Sequence, residues 1–448
     1  MKKLFVLPLA LGVSCAALKA QSWNLAGNAG TNPSTHFVGT TDNQPLRFRI
    51  NNAYAGLLHN DNTFFGRSAG LSHTTGFGNT ANGVEALRVN TTSNYNTALG
   101  WRSLYSNTSG YSNTATGGAA MIMNTTGHNN TATGYYSLGD NRTGNYNSAF
   151  GLQALGFSNS GNTNTAVGAF AAGNNSSGNS NVAVGVYALS WTTNRSNLVA
   201  VGDSALYWNG YPFPSPPSGI TATGNTAVGS KALYNNTTGY LNTAFGYRAL
   251  YSNTSGNSNT AVGYNAYPIS GTLSNYTGIG YNVGTSSSVS NSVEIGNSSV
   301  TWIGGQVGWS TYSDERIKEN IQEDVQGLSF ITKLRPVTYS LNIHKQRDMT
   351  QSGKQKDEVD WPEKYAIEKK KITGFLAQEV EQAAKACNYD FHGITRPSKA
   401  EGLYSLSYGD FVVPLVKAVQ EQQSMIEKLQ KKIEELEKKV AACAPVNY

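Results

Sequence analysis

"NTAFGYRALYSNTSGNSNTAVGYNA", Asn242 to Ala266, states nearly one phrase twice, 17 residues apart. Set on the glycine of NTAxG, the register runs through Gly66, Gly83, Gly100, Gly117, Gly134, Gly151, Gly168, Gly185 and Gly202, each 17 after the last. The next step, to Gly229, is 27, one period plus ten residues. The surplus is the proline-rich NGYPFPSPPSG, Asn209–Gly219, which reads as a loop thrown out of one rung. The period resumes at Gly246, Gly263 and Gly280 and ends one residue short at Gly296. Such self-similarity marks a repeat architecture.

Within a unit, NTAVG and the following xxAL read as two short extended pieces separated by Asn, Ser, Thr and Gly corners. A rung is therefore expected to hold two strands and two corners. Its inward candidates are few, for instance Ala227, Val228, Ala232 and Leu233. At about 25 cal/mol per Å² of buried apolar surface, they cannot offset an ordering cost of about 1–2 kcal/mol per residue. Each copy must supply the wall its neighbour needs, so the fold class is mainly β, a solenoid of stacked 17-residue repeats. The column Asn96, Asn113, Asn130, Asn147, Asn164, Asn181, Asn242 and Asn259 has two explanations: amides hydrogen-bonded along the stack, or asparagine tolerated at a turn.

The rest of the chain differs. Ser313–Tyr448 carries 21 of the 33 Lys and Arg and 21 of the 27 Asp and Glu, which puts a boundary near Ser310. No basic stripe with interleaved aromatics marks a nucleic-acid groove. Met1–Ala20, with Lys2, Lys3 and an apolar run from Leu4, has the layout of a secretory signal; a lipoprotein cut at Cys15 is the rival. The expected location is outside the cell, secreted or at the surface. No later stretch reaches the about 20 apolar residues of a membrane helix. Cys387 and Cys443 have no ligand spacing, the six histidines do not cluster, and no phosphate loop appears, so no cofactor or metal site is expected. The rungs almost lack the Asp that a calcium-loaded roll would use.

The array resembles the stacked heads of bacterial trimeric adhesins and phage tail fibres, whose rungs carry NxAxG phrases. That resemblance implies a parallel β-roll with three chains side by side, although 17 residues is longer than the period of those heads. FVGTTDNQPLRFRINN, Phe37–Asn52, resembles a short β module found at the start of such surface proteins. A host-surface or matrix glycan is a candidate partner. The column Thr80, Thr97, Thr114, Thr131 and Thr165 leaves an alternative, an ice- or glycan-binding solenoid with a purely structural trimerisation domain.

By spacing alone, Ser313 in STYSDERIKENI is a helix N-cap, with Asp314 and Glu315 in the first turn and Lys318 solvated. Four segments in order change this weighting: SDERIKENI (313–321), LRPVTYSL (334–341), GFLAQEVEQ (374–382) and YSLSYGDFVVPLVKAVQEQ (404–422). They resemble the C-terminal intramolecular chaperone of phage endosialidase-type tail spikes, over about Ser313–Val440. The resemblance implies a domain that trimerises, aligns the fibre chains and cuts its own chain with a serine–lysine dyad. Ser313 is then the nucleophile and Lys318 the base; Asp314 and Asn320 match without an assigned step. A polar insertion, Asn342–Lys371, separates two motifs and is expected to be a hairpin or loose loop. Val419, Ile426, Ile433 and Val440 with Gln422, Leu429 and Leu436 make a heptad seam. The expected domains are 1–20 signal, 21–60 N-terminal β module, 61–305 repeat fibre, 306–414 α+β chaperone and autoprocessing domain, and 415–442 coiled-coil helix. The expected protein is an exported homotrimeric fibre whose C-terminal part directs assembly and releases itself.

Overall fold

The computed structural model describes residues 26–211, 222–267, 270–284, 289–350, 361–397 and 402–443. The signal segment with Cys15, the proline-rich loop beyond Tyr211 and residues 351–360 of the polar insertion lie outside them. The repeat region forms a parallel β-solenoid of about 13 turns. Two antiparallel strands, β1 (Leu46–Ile50) and β2 (Ala53–His59), lead into β3 (Asn62–Phe65). Thirteen strands then follow, each parallel to the last: β4 (Asn79–Asn82), β5 (Thr97–Leu99), β6 (Thr114–Thr116), β7 (Thr131–Thr133), β8 (Ser148–Phe150), β9 (Thr165–Val167), β10 (Val182–Val184), β11 (Val199–Val201), β12 (Thr226–Val228), β13 (Thr243–Phe245), β14 (Thr260–Val262), β15 (Tyr276–Ile279) and β16 (Ser292–Ile295). Thr97 pairs with Thr114, one period on, and Val199 pairs with Thr226 across the longer step. The ten extra residues therefore leave the register intact. At about 4.8 Å per rung the column is roughly 60 Å tall.

Alternation along each strand sorts the phrase. The alanines Ala81, Ala98, Ala115 and their successors are fully buried, while the threonine before and the residue after face outward. Val228 is thus an outward residue, contrary to the inward place expected from its hydrophobicity. The rest of the core is the AL pair, with Leu87, Leu104, Met121 and Leu138 fully buried. Each such side chain contributes about 1.5–3 kcal/mol, and only because rungs above and below cover it. Phe64 plugs the column at its first rung and Tyr276 near its last, both fully buried.

The second expected strand is absent. In xxAL, the second residue and the leucine take left-handed backbone: φ is 54° at Arg102 and 50° at Leu104. Arg102 N donates back to Val84 O at 2.9 Å and Leu104 N forward to Ala120 O at 3.0 Å. The segment joins rungs as a strand would, yet its alternating handedness coils it tightly enough to turn leucine inward. Each non-glycine residue in that region costs on the order of 1–2 kcal/mol, offset by these bonds and by leucine burial.

The asparagine column is a hydrogen-bonded ladder. Asn113 Nδ2 donates to Gly127 O at 2.8 Å, and its Oδ1 accepts from Asn130 N at 3.0 Å. Asn147 and Asn164 repeat the pattern. The left-handed residue is the one before, such as Tyr95 or Tyr146, so turn tolerance does not explain the asparagines. Their amides satisfy buried backbone groups that no strand reaches. A second buried ladder, Asn107, Asn124 and Asn141, runs beside it.

The C-terminal part is a small α+β unit. Helix α1 (Leu328–Ile331) precedes β17 (Val337–Tyr339), which pairs antiparallel with β18 (Ile372–Gly374). Then come α3 (Ala377–Ala386), the pair β19 (Ile394–Thr395) and β20 (Ser405–Leu406), and the long α4 (Val412–Cys443). Between β17 and β18 the insertion holds a helix, α2 (Ile343–Thr350), where a loop was expected. Asn342 Oδ1 accepts from Lys345 N at 2.7 Å and Glu368 from Ile343 N at 2.7 Å, which supplies its missing N-terminal partners. Phe330, Val380, Phe391, Ile394 and Phe411 form the core.

Candidate functional site

Ser313 and Lys318 stand five residues apart, too far for a serine and lysine to meet on an extended chain. A single 3-10 turn, Glu315–Ile317, closes that distance. Its N-cap is Asp314, not Ser313: the Asp314 carboxylate accepts from Arg316 N at 2.9 Å and pairs with the Arg316 guanidinium at 2.6 Å. Those bonds hold the Asp314 carboxyl below the usual carboxylate range. Lys318 N donates to Glu315 O at 3.0 Å, and the lysine side chain folds back so that Nζ donates to Ser313 Oγ at 2.8 Å. Asn320 sits in left-handed backbone, φ 54°, which asparagine tolerates better than most residues.

The contact is exposed on both sides. Lysine takes a proton from serine only as the neutral amine, a form favoured by burial or by neighbouring positive charge. The surroundings are apolar but bare: Trp309 is 91% and Tyr312 98% exposed, and Ile317 and Ile321 are exposed as well.

The other three motifs converge elsewhere. Arg335 of LRPVTYSL pairs with Glu379 of GFLAQEVEQ at 2.5 Å. Phe375 N donates to the Tyr408 hydroxyl at 2.9 Å, and the Phe375 ring lies 5.3 Å from Phe411. No residue of Ser313–Ile321 is buried with them.

Spacing missed two carboxylates that organise this unit. Glu381 accepts from Arg396 at 2.7 Å, pairs with Lys385 at 2.9 Å and meets the Tyr404 hydroxyl at 3.3 Å. Its carboxyl is held down to about 2, first by the Arg396 bond and then by Lys385. Glu421 on α4 accepts from Leu328 N at 2.8 Å and so caps α1. The i,i+4 spacing of Glu381 and Lys385 was the one signal in the text.

Residues 313–389 match the family model described as chaperone of endosialidase. No curated protein and no solved structure matches the chain. The chaperone match opens on Ser313 and takes in the first three motifs, while YSLSYGDFVVPLVKAVQEQ lies beyond it. Packing joins that fourth motif to the chaperone region all the same, through Phe411 against Phe330 and Phe375. The region matched by that family model thus follows the solenoid. Among the described residues no helix is long and apolar enough to cross a membrane, and no group of three His, Cys, Asp or Glu could hold a metal ion.

Proposed function

We propose that the protein is an exported homotrimeric fibre whose C-terminal chaperone region aligns three chains and then cuts itself free next to Ser313. The observation that carries this reading is apolar surface left bare on the solenoid, the connecting segment and the last helix among the described residues. On the solenoid, Leu99, Phe150, Val167, Phe245, Val262 and Ile279 form an exposed outward column, with Phe245 57% exposed. In the connecting segment Trp309 and Tyr312 are nearly fully exposed, and on α4 Ile426, Leu429, Ile433, Leu436 and Val440 line an exposed seam. Surface of this extent in a folded chain is a partner's place, and heptads call for sister helices.

Assembly then supplies what the dyad lacks. Tyr312, Trp309 and Ile317 pack between chains and exclude water from Lys318. Ser313 Oγ adds to the carbonyl carbon of an adjoining peptide bond as its proton passes to Lys318 Nζ. The proton goes on to the departing amine nitrogen, and water hydrolyses the remaining ester. Cutting therefore waits for the trimer. A glycan is the partner class proposed for the fibre.

The test compares wild type with Ser313→Ala on a denaturing gel and by light scattering. Wild type is expected to give a C-terminal fragment starting at or next to Ser313, and Ser313→Ala a single full-length band on the gel with trimer mass by light scattering. Identical band patterns would remove self-processing; monomer mass for both would remove the fibre.

A further inference from the structure

The aromatic side chains of the solenoid stack rung upon rung, and one stack has a gap. Tyr207, Tyr234 and Tyr251 follow one another at 5.2 and 5.5 Å, and Tyr247, Tyr264 and Tyr281 at 5.2 Å. The column Phe157, Asn174, Trp191, Trp208 also steps by 17 residues. Trp191 and Trp208 stack at 5.9 Å with planes 21° apart, and Tyr211 packs on Trp191 at 5.4 Å. The next rung then holds the short Asn174 before an aromatic returns at Phe157. A cleft opens there, lined by Phe157, Asn174, Ser176, Trp191, Thr193 and Tyr211, with Gly210 at its edge.

We propose that this cleft binds a neutral saccharide. Phe157 and Trp191 are two rungs apart, about 9.6 Å at the usual strand spacing, which leaves the missing rung's height for one inserted ring. A pyranose presents a face of C–H bonds that packs on aromatic rings and a rim of hydroxyls that needs acceptors. Both are present. Asn174 Nδ2 donates to Ser190 O at 3.0 Å and leaves its Oδ1 to accept; Ser176 Oγ donates to Thr193 O at 3.1 Å and keeps its lone pairs. No charged side chain lines the cleft itself, while the buried Arg195 packs against Gly210 behind its wall. Phe157, Trp191 and Tyr211 all keep exposed ring surface. The site lies on columns separate from the outward strand face and from Ser313. It rests only on the glycan partner proposed above, independently of assembly and cleavage.

The experiment titrates the purified full chain with cellohexaose, chitohexaose, maltohexaose and an oligogalacturonate, read by tryptophan fluorescence and calorimetry. At least one neutral hexasaccharide should bind wild type, and Trp191→Ala should weaken it at least tenfold. Asn174→Tyr, which completes the aromatic stack, should abolish binding while leaving circular dichroism and solution mass unchanged. Absence of binding by every neutral probe, binding of the uronate alone, or wild-type affinity in Asn174→Tyr would overturn the proposal. Trimer mass in the same samples reports the fibre reading separately.

Discussion

At Gly134 a β-carbon would stand 2.4 Å from the Gly151 carbonyl oxygen of the next rung, and φ there is 131°. Both facts repeat at Gly117 and Gly151, so the glycine ladder is the place where two rungs touch backbone to backbone. Gly134→Ala is expected to destabilise the solenoid by about 2–3 kcal/mol, from strain plus displaced backbone. The check is the urea midpoint followed by far-UV circular dichroism, and a midpoint equal to wild type would contradict the ladder. At this scale the sequence was easy to read: a glycine kept at every 17th residue has one explanation that fits all its copies. Leu104 was harder, because leucine in left-handed backbone is set by the bonds to Val84 and Ala120 around it and by nothing in its own chemistry.

Among elements, α3 shows charge doing structural work at the surface. Glu381 titrates near 2 in the folded chain against an ordinary 4.5, so its contribution is complete above about pH 4.5 and is lost as pH falls towards 2. Thermal midpoints of the C-terminal unit should therefore drop across that window in wild type, and Glu381→Gln should flatten the drop; parallel pH profiles would show that Arg396 and Lys385 contribute nothing through it. The heptads of α4 were legible because a helix writes its face at a fixed interval. The helical turn at Glu315–Ile317 was legible too, with its cap read one residue early at Ser313 instead of Asp314, whereas the helix α2 was not, since it depends on the Asn342 amide and the distant Glu368 carboxylate.

For the whole molecule, the proposed trimer places the outward strand face where copies would meet. Phe245→Glu would place a charge in the middle of the apolar column, 57% exposed in one chain. We expect the concentration for half-assembly to rise at least tenfold, about 1.4 kcal/mol, with the far-UV spectrum unchanged. Sedimentation across a dilution series measures it; an unshifted mass would move the interface elsewhere.

The sequence by itself determined that rungs stack in register, which residues form the glycine and asparagine columns, and where the repeat gives way to a charged α+β unit. It could do so because stacking is a translation: the neighbour of residue i in space is residue i + 17, and text at that interval is contact at that interval. Only the tertiary structure decided that AL is a left-handed turn and not a strand, that Val228 faces out, that Asn174 leaves a gap between aromatic rings, and that Ser313 and Lys318 touch while their surroundings stay bare. Those features arise from backbone handedness and from packing between residues that share no period, and neither is written in a one-dimensional repeat.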